Sequence, residues 1–240
     1  MVEATKINNQ KTLAAYAESL RLPDPDAWFK DTFGEVLGTQ IAESHGALRE
    51  RLHVSLFEGL SGILNDQFAD FTIQRFEKPC EPATDKTFYT VLLMRRQHVP
   101  LYLAKFTKPH ESRIRIMGFF AYVNGAFRYL GIIRVEQLRA LPGSKVIRQG
   151  GNVQQAKLVN IVRPHYPEAA RDNHIQGTIR LYALVSADGT IGALQVIDGS
   201  CLLAEAAVKA VNQWRYNPTL LNGEPVHVMT TIDVVFTLGP

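Results

Sequence analysis

The sequence predicts an α+β protein of two α+β domains, on three observations. At 240 residues the chain is long enough for two ordinary cores without metal or disulfide. Its first half runs from helical to alternating periodicity, the order that places helices on one face of an antiparallel sheet. Its second half repeats the mixture on a smaller scale, as a short helix, a hairpin, a helix and a long last strand arranged around Trp214-Arg215-Tyr216-Asn217-Pro218. The domains are expected at residues 1–137 and 147–240, with a linker at 138–146 marked by Leu141-Pro142-Gly143-Ser144.

A hydrophobic fraction of 46% and a charged fraction of 20% are those of a globular protein, which excludes disordered and fibrous classes. Net charge is +3, too little to call for nucleic acid, and none is expected as a partner. The charge is uneven: residues 1–94 carry nine Lys/Arg against fourteen Asp/Glu, residues 95–148 eleven against two, and residues 149–240 six against seven. The basic middle reads as a solvated face of a sheet beside acidic helices, with an anionic partner such as a lipid surface, an acidic glycan or an acidic protein as the alternative. Cys80 and Cys201 have no Cys or His partner at metal-ligand spacing, so no metal site is expected and the two cysteines are read as unbridged. The start Met1-Val2-Glu3-Ala4-Thr5-Lys6 is polar, and no window approaches the ~20 apolar residues of a membrane span. Neither a signal peptide nor an anchor is therefore expected in these residues.

Residues 12–22 read as a helix with Leu13, Tyr16, Ala17 and Leu20 at helical spacing, ended by Pro23. Asp24-Pro25 opens a second helix presenting Trp28, Phe29 and Phe33. From Glu35 to about Asn65 a longer helical pattern sets Leu48, Leu52, Leu56 and Ile63 on one stripe, with Gly46, Gly59 and Gly62 as candidate kinks or close-packing points. Strands are expected near 71–77, 87–96, 99–107, 113–123 and 126–134, with turns at Gln97-His98 and Asn124-Gly125. The Asn-Gly pair between two apolar runs is what a two-residue type I′ hairpin requires.

Helices followed by a sheet containing Gly118-Phe119-Phe120-Ala121-Tyr122-Val123-Asn124-Gly125 resemble the nuclear transport factor 2-like cone. That resemblance implies an apolar pocket and, by analogy with isomerases of that fold, His45, His53 or Asp70 as candidate acid or base groups. The residues themselves show no Ser/His/Asp or Cys/His constellation and no phosphate-cradling glycine loop, so no catalytic residue and no cofactor are expected. The alternative function is small-ligand binding or isomerase-like activity in the first domain, with the second as a docking module. A pocket filled by Trp28, Phe29 and Phe71 would end that alternative.

In the second half, Pro167 suits the first position of a short helix over Glu168-Ala169-Ala170-Arg171-Asp172. Thr178–Ser186, Asp188-Gly189 and Thr190–Ile197 read as a hairpin, and Ser200 as an N-cap. Leu203, Ala206, Ala207, Ala210, Val211 and Trp214 then share one helical face. After Pro218 and Asn222-Gly223, a strand of about a dozen residues alternates between Val226, Val228, Ile232, Val234, Phe236, Leu238 and an outward set, roughly twice the usual strand length.

Tyr166-Pro167, Ala170, Ile175, Gly177, Asp188-Gly189, Gly199, Ala207, Trp214-Arg215-Tyr216, Pro218 and Asn222-Gly223 with the closing strand resemble the carboxy-terminal domain of the TonB energy-transducer family, over residues 146–240. The resemblance implies a non-enzymatic periplasmic module whose last strand captures an extended peptide of an outer-membrane transporter or other envelope protein. A second copy of the chain is a further candidate partner for that strand. Partner-facing positions would be His227, Met229, Thr231, Asp233 and Val235, with Arg163, His165 and Arg215 as surface recognition groups. Tyr166, Trp214 and Tyr216 are read as core anchors. Family transducers also carry a membrane helix and a proline-rich spacer, which connect them to an inner-membrane motor. Here a folded domain stands there instead, so the chain is either the trimmed soluble part of an anchored protein or a passive binding module.

Overall fold

The computed structural model describes residues 10–66, 70–77, 80, 86–108, 114–133 and 138–238. The polar start at residues 1–6 and the predicted strand ends at Arg113 and Arg134 lie outside them. The described residues gather into two compact units, one within 1–32, 38–77 and 97–134, the other within 33–37, 78–96 and 135–240.

The first unit has helices α1 (Gln10–Ser19), α2 (Pro25–Phe33), α3 (Glu35–Glu50) and α4 (Leu52–Asn65). Its antiparallel sheet runs in chain order through β1 (Asp70–Phe76), β2 (Leu101–Thr107), β3 (Ile114–Val123) and β4 (Ala126–Gly131). Asp24 caps α2 as its side chain predicts, accepting the Ala27 N–H at 3.2 Å. The long helical pattern breaks at Arg51, and Gly46 and Gly59 face open space rather than a packed neighbour. Leu52, Leu56 and Tyr129 form one buried cluster and Leu60, Ile63 and Phe106 another, so the predicted stripe does hold α4 to the sheet. Tyr129 locks the end of α1 as well: its N–H donates to Leu20 C=O at 2.8 Å and its hydroxyl to Met117 C=O at 2.7 Å. Burial pushes that phenol up to about 12. Asn124 and Gly125 take positive φ, 51° and 78°, as a type I′ turn demands. Bulges at Ala104/Lys105 and at Phe119/Phe120 interrupt the ladder and bend the sheet.

The predicted strand over 87–96 is instead helix α5 (Lys86–Leu93). Val91, Leu92, Leu93 and Met94 are buried in succession, and an unalternating apolar run of this length does not separate a buried strand from a helix. With no strand before it, Gln97-His98 makes no hairpin turn; the chain bends there and enters β2.

The second unit is built from β5 (Val146–Arg148), α6 (Gly151–Gln155), β6 (Leu158–Asn160), α7 (Glu168–Asp172), β7 (Gly177–Val185), β8 (Ile191–Asp198), α8 (Cys201–Val211), β9 (Arg215–Tyr216), β10 (Thr219–Leu221) and β11 (Glu224–Phe236). Sheet order is β10-β11-β7-β8, with β5 parallel beside β11, while β6 pairs with β9. Alternate residues Ile179, Leu181, Ala183 of β7 and Val228, Ile232, Val234 of β11 meet Leu203, Ala207 and Val211 of α8 in one core, which Leu93 of α5 joins. The small alanines let the helix approach the sheet, and each fully buried Leu, Ile or Val contributes about 1.5–3 kcal/mol. Pro167 is the N-cap of α7 rather than its first helical residue.

Cys80 and Cys201 form a disulfide, which corrects the reading of two unbridged cysteines. A sequence separation of 121 residues makes the pair look like a cross-link between halves of the chain. Because Cys80 and α5 belong with Cys201 to the second unit, the bridge is internal to that unit.

Candidate functional site

The residues of the Trp-Arg-Tyr stretch fasten three segments together. The Trp214 indole N–H donates to Val162 C=O at 2.9 Å, and Asn217 N–H to Lys157 C=O at 2.8 Å. The Asp188-Gly189 turn docks on Tyr216, whose N–H donates to Gly189 C=O at 2.9 Å. Gly189 has φ 84°, and a Cβ there would lie 1.9 Å from Tyr216 C=O, so only glycine fits. The Asp188 carboxylate accepts both the N–H and the hydroxyl of Thr190, which holds its pKa below the usual range. Tyr166 donates to Ile175 C=O at 2.6 Å and sets its ring edge-on to Phe236. Gly177 opens β7 opposite Phe236, and Pro218 leads into β10. Of these motif residues Tyr166 and Gly177 meet β11 directly, at Phe236, while Trp214, Tyr216 and the Asp188-Gly189 turn fasten the neighbouring segments to one another.

β11 is paired along one side by β7, from Val228 to Phe236. On its other side β10 takes Glu224–Val226 and β5 takes His227–Met229. Among the described residues, strand pairing on that side ends at Met229. His227 N–H donates to Lys145 C=O at 3.0 Å, and Met229 C=O accepts from Gln149 N–H at 3.0 Å. Backbone groups of alternate strand residues point the same way, so those of Thr231, Asp233 and Val235 face outward from the sheet along this edge. Their side chains are exposed, Val235 at 63%.

The predicted outward residues thus divide. Thr231, Asp233 and Val235 are outward, His227 is half-buried, and Met229 is buried at 5% exposure. Met229 is on the outward face, as alternation predicts, but the segment from Leu138 to Arg148 crosses that face, and Leu138, Val146, Tyr182 and Met229 line one cavity of about 390 Å³. Asp233 is held by the Arg180 guanidinium through two bonds of 2.9 and 2.8 Å, which keeps its carboxyl below the usual range. Arg163 and His165 lie away from β11, in a groove of about 700 Å³ beside Glu205 and Lys209 of α8. Arg215 turns its guanidinium to Trp214 C=O at 2.8 Å. The structure does not bring these three residues together with the β11 edge.

In the first unit, Phe71, Ile73, Tyr102, Phe106, Phe120 and Phe127 help to line an apolar pocket of about 450 Å³. None of the three acid or base candidates lines it. His45 lines a different cavity, of about 320 Å³, with its ring 5.2 Å from Phe29; burial lowers its pKa. His53 and Asp70 are exposed. Among the described residues no three His, Cys, Asp or Glu stand close enough to hold a metal.

Sequence comparison reaches the same part of the chain as the edge. Residues 162–238 match the family described as Gram-negative bacterial TonB protein C-terminal. Over that stretch the second domain is similar to the TonB C-terminal family. Protein TonB of Vibrio cholerae serotype O1 is 33% identical over 79 residues, 32% of this chain and 32% of the relative. The chain thus spans about a third of the length of the curated TonB that it matches. The solution NMR structure of the Pseudomonas aeruginosa TonB CTD is 24% identical, covering 35% of this chain and 87% of that one, at a TM-score of 0.31. Helix α8, the β7–β8 hairpin and the whole open edge of β11 lie inside the TonB-matching stretch. β5 and α6 lie before it.

Proposed function

We propose that the protein is a non-enzymatic, periplasmic TonB-like component of energy transduction, whose β11 edge captures an extended peptide of an outer-membrane transporter or another envelope protein. The observation that carries this reading is the outward edge from Thr231 to Phe236, with the backbone groups of Thr231, Asp233 and Val235 directed away from β7. Such an edge is a template for an added strand. Each backbone bond adds about 0.5–1.5 kcal/mol net, so a short added strand gives a weak, reversible grip once association costs are met. Two further observations support the reading: the family match, and the disulfide, since such bonds persist in oxidising compartments such as the periplasm. Connection to an inner-membrane motor would run through a membrane anchor; among the described residues no helix is long and apolar enough to cross a membrane.

The test is binding of synthetic peptides from the amino-terminal segments of the host's outer-membrane transporters. Val235→Pro, which removes one edge donor, is expected to weaken binding by tenfold or more with the fold intact. Unchanged affinity would overturn strand addition at this edge.

A second reading, a small-ligand site in the first unit, is favoured by the 450 Å³ apolar pocket. With no carboxylate or histidine in that lining among the described residues, the pocket supports binding rather than acid–base chemistry.

A further inference from the structure

β11 is only partly open because the chain itself sits on the rest of its edge. Lys145 to Gln149 runs parallel to it, in the register His227 to Val146, Val228 to Ile147 and Met229 to Arg148. Its ends are tied by His227 N–H to Lys145 C=O and by Gln149 N–H to Met229 C=O, both 3.0 Å. The Lys145 ammonium also pairs with Glu224. Helix α6 follows at once and leans on the next strand residue: a Cβ at Gly151 would lie 2.7 Å from Thr231 C=O. Together these residues do with the chain's own backbone what a captured peptide would do with a foreign one.

The seat is imperfect. Gln154 is 1% exposed, yet among the described residues neither its amide nitrogen nor its amide oxygen has a hydrogen-bond partner. Gln149 Oε1 and His227 Nδ1, on the same side, are likewise buried without one. Buried polar groups left unpaired oppose the arrangement that buries them. The strand itself is three residues long, flanked by Gly143 and by Gly150-Gly151, so few bonds hold it and its flanks bend freely.

We infer that residues 145–155 form a displaceable strap, an internal pseudo-ligand that occupies the His227–Met229 part of the edge, abuts Thr231, and must lift before a strand longer than the open Thr231–Phe236 stretch can add. The strap rests on the reading of β11 as the partner edge. It makes capture a competition between two strands, with the affinity for a partner lowered by the fraction of time the strap is seated.

The probe is a labelled peptide of the strap's own sequence, residues 144–150 (Ser-Lys-Val-Ile-Arg-Gln-Gly), added to the full chain. Ile147→Pro removes the central strap N–H and is expected to bind the peptide at least tenfold more tightly than the unaltered chain, with faster hydrogen exchange at the amide of Met229. Gln154→Leu replaces the unpaired amide by an apolar group of similar size. It is expected to act in the opposite direction, slowing exchange at Met229 and weakening peptide binding about threefold. Equal peptide affinity and equal Met229 exchange in all three chains would overturn the strap. If Ile147→Pro fails to fold, the Gln154→Leu comparison decides alone. An Ile147→Pro chain that takes the strap peptide but no envelope peptide keeps the strap and rejects the partner assignment. A chain that takes envelope peptides longer than the open stretch equally well with and without Ile147→Pro rejects the strap and keeps the partner.

Discussion

Removing the Cys80–Cys201 bridge by the double substitution Cys80→Ser and Cys201→Ser tests whether residues 78–96 belong to the TonB-like unit. The bridge closes a loop with a sequence separation of 121 residues. For a loop of that length, chain entropy gives about 16 cal/mol/K, or about 5 kcal/mol at 25 °C, and native disulfides removed from other proteins cost about 2–5 kcal/mol. The loss should fall on the second unit, because both cysteines and the adjoining α5 and α8 lie there. Trp214, 9% exposed and bonded to Val162 C=O, reports that unit once Trp28, the other tryptophan, is replaced by Phe. Urea unfolding of a Trp28→Phe chain should then show its midpoint falling by about 1.5–2 M on cysteine removal, taking a loss near 4 kcal/mol and an m-value of about 2–2.5 kcal/mol/M. A reductant should produce the same shift in the parent. A loss under about 1 kcal/mol, well below the range for native bridges, together with an unchanged parent in reductant, would refute both the bridge and the placement of residues 78–96.

Gly189→Ala should cost the second unit at least about 3 kcal/mol in urea unfolding, since it combines positive-φ strain with overpacking against Tyr216 C=O. A loss under about 1 kcal/mol would show that the Asp-Gly turn does not dock there. His45 has a folded pKa below its ordinary 6.5 because burial disfavours the charged ring. The unfolded chain therefore takes up the proton first, and the stability due to the neutral ring is whole above pH ~6.5 and declines as the pH falls below it. His45→Phe should flatten that decline in the first unit between pH 7 and 5; an identical slope would mean that the ring is not buried. An apolar fluorescent probe, N-phenyl-1-naphthylamine, should bind the first unit's pocket, and Ile73→Glu should reduce that binding at least fivefold; equal binding would place the probe elsewhere.

Most of the second unit was legible because its turns and its alternation are local. Asp188-Gly189, Asn222-Gly223 and the every-other-residue apolar pattern of β11 each specify geometry within a few residues, and Trp214 declares itself by closing the apolar face of α8. What escaped the sequence depends on distant partners. The run from Val91 to Met94 is apolar without alternation, so its helical state is decided by the core it joins rather than by its own period. Met229 obeys the alternation and is still buried, because a segment some eighty positions earlier crosses the outward face. The Cys80–Cys201 bridge needs residues 78–96 to fold with the far end of the chain, which no spacing rule records. β5 is the missed functional element: Val146-Ile147-Arg148 between glycine-containing turns is a short strand signal, but read beside Leu141-Pro142-Gly143-Ser144 it passes for linker. Alternation accounts for the exposed side chains of Thr231, Asp233 and Val235, whereas the reading of Arg163, His165 and Arg215 as surface recognition groups rests on family resemblance, and the fold sets them away from the β11 edge.

Residue-resolved amide hydrogen exchange of the full chain, with and without a saturating transporter peptide, tests strand capture most directly. The amides of Thr230, Ile232 and Val234 face β7 and should be protected in both states. Those of Thr231, Asp233 and Val235 should exchange fast in the free protein and slow at least tenfold when the peptide is bound. Peptide binding that leaves these three amides fast, or that protects residues around Arg163 and His165 instead, would contradict capture at the β11 edge.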